Sequence, residues 1–259
     1  MTDRPPAGLR RRRTRVIVSG SLLLALVVMG VCAALVSTGI IWPNRVFAAA
    51  YPVRGIDVSS YQGRIDWPVL ASRGVDFAFI KATEGSTDRD ERFEANWAAA
   101  RKTSLVVGAY HFLSFDSPGQ TQARNIIRTV PAQAGTLPVA IDVELYGRYL
   151  GSPPSRERVT GVLVPLVQAI RAHYGVAPIL YATGDAYARY LAGAFPDDPV
   201  WIRSIAVPPT LPQARAWAFW QYSDHDRLPG YSGPEPFIDR NVFAGTRQHL
   251  DALLQHGAP

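Results

Sequence analysis

Cysteine is nearly missing from this chain of 259 residues. Cys32 is the only one, so no disulfide framework braces the fold. The five histidines, His111, His173, His225, His249 and His256, are scattered without metal-ligand spacing. With no second thiolate available, neither a metal site nor any other cofactor is expected. No internal repeat occurs, and low complexity is confined to an arginine cluster and the run Ala48, Ala49, Ala50. Net charge is missing from most of the chain too. Of 27 Lys plus Arg and 21 Asp plus Glu, residues 1–53 hold seven Arg and one Asp, which leaves 20 of each sign in 54–259. A neutral body offers no electrostatic footprint for nucleic acid. With 47% apolar residues, 19% charged, and 21 each of Gly and Pro, disorder is excluded and a folded body with many turns is expected.

The basic surplus sits beside a long apolar run. Arg10, Arg11, Arg12, Arg13 and Arg15 precede residues 16–42, 27 positions without Asp, Glu, Lys or Arg. As a helix this run would rise about 40 Å, more than the ~30 Å hydrocarbon core, so it can cross with tilt. A buried core helix of that length would show a polar face, and here only Ser19, Ser21, Ser37, Thr38 and glycines interrupt the apolar residues. Length favours a retained anchor over a cleaved signal peptide, whose apolar region spans about 7 to 15 residues. Ala48 to Ala50 has the small-x-small form of a cleavage site and keeps the secreted alternative open; the arginine pairs alone are a loose twin-arginine signal. The positive-inside rule leaves residues 1–15 cytoplasmic, 16–42 in the bilayer, 43–53 as a linker and 54–259 as an extracellular catalytic domain.

Within the body, eight short apolar runs read as strands: 55–58, 77–81, 106–112, 138–144, 178–182, 200–202, 217–222 and 237–239. Helical stretches at 92–102, 121–130, 156–174 and 184–191 lie between the earlier ones, with Gly175 placed to end the third. After about residue 203 the connections are too rich in Pro and Gly for full helices. The expected fold is α/β: a single irregular TIM-like β/α barrel of eight strands with some helices missing, preceded by the transmembrane helix.

In such a barrel chemistry gathers where strands end, and the apolar runs close on Asp57, Glu84, Asp142, Glu144 and Asp239. Asp142 and Glu144, two apart on one strand, share a face with Cα atoms about 6.5 Å apart. Repulsion between them raises one pKa and leaves the other group ionised, the division of labour a glycosidase needs. A pair of metal ligands is another reading of the same spacing, but no His lies near. Tyr61, Trp67, Tyr110, Tyr181, Trp201, Trp220 and Tyr222 fall at strand ends or in the following loops. They serve either as sugar-stacking faces or as barrel packing with polar tips outward.

Six blocks in order carry a family resemblance: GIDVSSYQGRIDW at 55–67, FIKATEG at 79–85, GAYHF at 108–112, IDVE at 141–144, WQYS at 220–223 and IDRNVF at 238–243. Over about residues 54–247 the chain resembles glycoside hydrolase family 25, the Chalaropsis-type lysozymes or N-acetylmuramidases. The resemblance implies an incomplete β/α barrel that cleaves the β-1,4 bond between N-acetylmuramic acid and N-acetylglucosamine in bacterial peptidoglycan. By motif position Glu144 is the general acid, Asp142 supports the reacting centre or orients the acetamido group, and Asp57 and Asp239 complete the acidic cluster. Tyr61, Tyr110, Tyr181, Trp201 and Gln221 are expected to contact the glycan. The attacking group is either an enzymic carboxylate or the substrate's own acetamido oxygen. The enzyme is expected to act as a monomer.

Three departures from the family pattern stand out. Arg203, Ser204 and Ile205 replace the usual Ala and following aromatic, which removes one sugar-stacking contact; Ser104 replaces a Gly after a helix; and Arg240 replaces an apolar residue beside Asp239, where its guanidinium is placed to lower that carboxyl's pKa or bind a substrate carboxylate. Substrate-assisted chitinases carry a related acidic strand motif, but Ala140 stands where one of its Asp residues would be. The rival from another class is an inactive wall-binding module tethering membrane to wall. Four crowded carboxylates argue against it, because binding alone does not need so many like charges together.

Overall fold

The computed structural model describes residues 7–37 and 44–255, with side chains described over 18–35 and 44–255. Residues 1–6, 38–43 and 256–259 lie outside this description, as do the end of the expected bilayer span, Pro43 at the start of the expected linker, and His256. The chain forms two units, divided after Pro43.

The first unit is helix α1 (Ala7–Ser37). Its window Val18–Leu35 is long and apolar enough to cross a membrane, and none of it is buried. Eighteen residues at 1.5 Å each rise about 27 Å, close to a bilayer core.

The second unit begins with a short helix α2 (Asn44–Ala48) and winds into a barrel. Its strands are β1 (Arg54–Val58), β2 (Phe77–Glu84), β3 (Asp88–Arg89), β4 (Val106–Phe112), β5 (Ala140–Val143), β6 (Ile179–Thr183), β7 (Val200–Arg203), β8 (Phe219–Asp226) and β9 (Ile238–Phe243). They pair in the order β1, β9, β8, β7, β6, β5, β4, β2, β3, and β1 also pairs with β2, which closes eight strands into a ring. The expected eight are all present; β3, a two-residue hairpin strand on the edge of β2, is an addition. The helical stretches appear as α4 (Phe93–Ala100), preceded by a short α3 (Trp67–Ala71), then α5 (Gly119–Thr129) and α6 (Arg156–Tyr174), which ends at Gly175 as expected.

One strand breaks the parallel pattern. β9 runs antiparallel to both β8 and β1. Residues 227–237 before it contain Pro229, Pro234 and Pro236 and no helix, and a direct return of this kind gives an antiparallel neighbour, whereas a parallel one needs a crossover. Inside the ring Phe77, Phe79, Tyr181, Trp201, Phe219 and Phe243 are packed together. Two glycines on the strands make room for them: a Cβ on Gly55 would lie 2.2 Å from the Phe77 ring, and one on Gly108 would lie 2.6 Å from Phe79.

Residues 44–53, expected as part of a linker, touch the barrel at several points. Asn44 is fully buried and donates from Nδ2 to the carbonyls of Ser204 (2.8 Å) and Tyr222 (3.4 Å). Arg45 pairs with Asp226, Ala48 is buried, and Tyr51 lies against the rings of Trp217 and Trp220.

Candidate active site

The C-terminal ends of the parallel strands surround a groove of about 630 Å³ lined by Asp57, Asp142, Glu144 and Asp239, among others. Four of the five acids picked from strand ends therefore meet in one place. Glu84 does not line the groove; it receives Lys81 Nζ at 2.8 Å, and that ammonium, 5.1 Å over the Phe112 ring, does line it.

Asp57 and Asp239 are direct partners across the β1–β9 pair. Asp57 Oδ2 accepts from Asn241 Nδ2 (2.7 Å) and Gln221 Nε2 (3.0 Å), and the same Gln221 nitrogen donates to Asp239 Oδ2 (3.1 Å). Burial raises the Asp57 pKa, with the Asn241 and Gln221 hydrogen bonds opposing it. Asp239 goes well above the usual carboxylate range through loss of water and the charge of Asp57.

Asp142 is buried in β5, and Glu144 follows its last residue, Val143, half-buried at the groove. Asp142 Oδ1 is enclosed and has no hydrogen-bond partner. Burial, then the charges of Glu144 and Asp57, push Asp142 well above the usual range. Glu144 is raised by burial, with Arg203 as the strongest opposing influence. Both acids of the pair are thus raised, Asp142 by its deeper burial and the neighbouring charges and Glu144 by burial against the opposing pull of Arg203.

The aromatic residues separate by role. Tyr61 stands at the rim, 66% exposed, and Tyr110 is half-buried in the wall. Trp201 is 1% exposed, stacks on Phe79 at 4.5 Å and donates from Nε1 to Asn241 Oδ1 (2.8 Å), so it forms the floor beneath Asp57 and has no free face for a sugar. Tyr181 is buried beside it, and its hydroxyl donates to Gln221 Oε1 (2.9 Å). Gln221, expected as a glycan contact, is itself buried and clamps the acids. Trp67, Trp220 and Tyr222 are buried and do not line the groove; Trp67 donates to Asn96 (3.2 Å).

Arg240 does not do what its neighbour suggested. Alternation along β9 turns it away from Asp239; it is buried, with Nε 3.9 Å from Asp226 Oδ2, on the carboxylate that also holds Arg45. It serves the docking of α2. His111 is also structural: it is fully buried between Thr83 (2.7 Å) and Gln122 (3.0 Å), and burial lowers its pKa to about 4. The sequence reading passed over Asp224 and His225, which line the groove. They lie on β8 just past the WQYS block, and the alternation of that strand was the available signal. Lys81 and Asn241 stood inside quoted motifs without being singled out.

The sequence profile described as Glycosyl hydrolases family 25 matches residues 56–231. The chain is 37% identical over 211 residues to Uncharacterized protein YegX of Escherichia coli strain K12, covering 80% of this chain and 75% of that one. It is 33% identical over 223 residues to Lysozyme M1 of Streptomyces globisporus, covering 80% and 72%. The structure of a family 25 glycosyl hydrolase from Bacillus anthracis superposes with a TM-score of 0.75 at 48% identity, covering 78% of this chain and 94% of that one. The chain belongs to glycosyl hydrolase family 25 and is a glycoside hydrolase.

Proposed function

We propose that the barrel is a lysozyme-type muramidase that hydrolyses the β-1,4 bond between N-acetylmuramic acid and N-acetylglucosamine in bacterial peptidoglycan. The observation that carries this reading is the pair Asp142 and Glu144 at the end of β5, both with raised pKa, one buried and one open to the groove. Similarity to Lysozyme M1 supports the substrate class. Glu144, kept protonated by burial, gives its proton to the leaving glycosidic oxygen. Asp142 is buried with its Oδ1 enclosed and unpartnered, a position suited to holding the acetamido group in place. Attack at the anomeric carbon therefore falls to the substrate's acetamido oxygen, while Asp142 accepts from the acetamido N–H through its unpartnered Oδ1. Water then opens the cyclic intermediate, with Glu144 as the base that recovers the proton. Asp57 and Asp239 shape the floor, and Tyr61 offers a sugar face at the rim.

The apolar helix is read as a retained single-pass anchor that keeps the barrel outside the cell and confines cutting to nearby wall. Full-length protein in membranes after carbonate washing, with the barrel open to external protease, is the expected result. A soluble form beginning near Tyr51 would instead identify α1 as a signal peptide. Clearing of a purified wall suspension tests the enzyme reading. Pelleting with the wall without clearing would establish the tether in its place.

A further inference from the structure

Arg203 ends β7 two residues after Trp201, so both side chains leave the strand toward the barrel interior. Trp201 stands level with Tyr181 and Asp142, and Arg203 stands level with Thr183, one strand nearer to β5. Glu144 directly follows Val143, which pairs with Ala182, the residue before Thr183. Arg203 and Glu144 therefore top two strands separated by one, about 10 Å apart at Cα, a gap that a guanidinium on its long stem can span. On its other side Arg203 Nη2 lies 2.5 Å from Asp224 Oδ2, and Asp224 Oδ1 lies 2.6 Å from His225 Nδ1. The Asp224 side chain is 19% exposed and that of Arg203 31%, so this is a sheltered pair, fixed in place more firmly than a surface ion pair.

We propose that Arg203, held by Asp224, is a positioning residue that stabilises the carboxylate Glu144 becomes as it gives up its proton. This rests on the reading of Glu144 as the general acid. As the proton leaves, negative charge grows on Glu144, and a fixed cation favours that change without having to reorganise. Burial alone would hold the proton too tightly, and Arg203 offsets it. The other charged or titratable groups facing Glu144 do not supply this. Asp57 and Asp142 are acids, Tyr181 stays neutral because burial raises its pKa well above the usual range, and Lys81, paired with Glu84, favours the Glu144 carboxylate less than Arg203 does. Asp224 keeps its charge: burial pushes its pKa up, but the His225 hydrogen bond and the Arg203 guanidinium outweigh that and hold it below the usual range. Asp239, the remaining acid near Arg203, lies on β9 against Asp57, and burial raises its pKa well above the usual range.

The test is the pH profile of kcat on a soluble alternating N-acetylmuramic acid and N-acetylglucosamine oligomer, for the full chain and for Arg203→Gln, Arg203→Lys and Asp224→Asn. Loss of the cation raises the Glu144 pKa, so in Arg203→Gln the alkaline limb moves up by about one pH unit while the plateau falls. Arg203→Lys keeps the charge and holds the limb near its original position. Asp224→Asn removes the opposing anion and moves the limb down. Opposite shifts from the two partners of one ion pair are not produced by a merely structural role. A limb unmoved in Arg203→Gln, or moved in the same direction by both changes, overturns the proposal. If Arg203→Gln does not fold by circular dichroism, Asp224→Asn decides: a downward shift supports the proposal, and an unmoved or upward limb contradicts it. Full activity in Glu144→Gln would mean that the general-acid reading itself has failed. An inactive Glu144→Gln with unmoved limbs elsewhere would sink this inference alone.

Discussion

Asp57 and Asp239 face each other across the antiparallel β1–β9 pair, and one nitrogen of Gln221 donates to both. Two buried carboxyls held this close favour sharing a proton over ionising together. That has a consequence for stability. Asp57, Asp142, Glu144 and Asp239 all have folded pKa values above their ordinary ones. A raised carboxyl binds its proton more tightly in the folded state, so its contribution is fully present below the unfolded pKa and is lost as pH rises through the folded value. Melting followed by calorimetry should show a midpoint that falls as pH is raised from mildly acidic toward alkaline. Asp239→Asn, which cannot ionise, should flatten the slope. A midpoint that climbs over that range would contradict the proton sharing.

Asp142→Asn mimics the protonated state that Asp142 already prefers. Wall lysis should fall by less than in Glu144→Gln, because the amide oxygen still accepts from the acetamido N–H. The alkaline limb of the residual activity should stay where it was, since no negative charge has been taken from beside Glu144. A limb moved down by the substitution would show that Asp142 is ionised when Glu144 titrates.

Floor and rim should respond differently to truncation. Trp201→Ala removes a fully packed ring and orphans Asn241 Oδ1, at a cost of about 3–5 kcal/mol in stability. Tyr61→Ala, at an exposed position, should leave the melting midpoint unchanged and raise KM for glycan. Equal stability losses, or an unchanged KM in Tyr61→Ala, would contradict the division.

The packing of α2 makes the start of the barrel measurable. A chain beginning at Tyr51, the product of cleavage after Ala50, lacks the Asn44 hydrogen bonds, the Arg45–Asp226 pair and buried Ala48. It should be less stable than one beginning at Asn44, by about 1–3 kcal/mol in denaturant unfolding. Equal stability would show that residues 44–50 contribute nothing to the barrel.

Asp57, Asp142 and Glu144 were legible because they fall at the C-terminal ends of β1 and β5, whereas Asp239, read as closing a short run, lies at the start of β9 and reaches the same groove because that strand is antiparallel. The ring of eight strands followed from the same runs. The direction of β9 was not, since periodicity carries no information on strand sense and only the short path after β8 sets it. The aromatic roles were hidden for a related reason: Trp201 and Tyr61 look alike in sequence, and only the register with Tyr181 and the stack on Phe79 makes Trp201 a floor. Arg240 was misplaced by adjacency to Asp239, although neighbours on a strand point apart. Residues 44–53 read as a linker because their contacts, to Ser204, Tyr222 and Asp226, are all distant in sequence.

The central claim, that Glu144 drives muramidase chemistry in this groove, is tested most directly by mass spectrometry of the sugars released from purified peptidoglycan by the full chain and by Glu144→Gln. The account predicts fragments ending in reducing N-acetylmuramic acid from the unaltered chain, and a rate lower by about 10²- to 10⁴-fold for a still-folded Glu144→Gln. Reducing N-acetylglucosamine ends, or release by Glu144→Gln at more than about a tenth of the original rate, well outside that range, would contradict it.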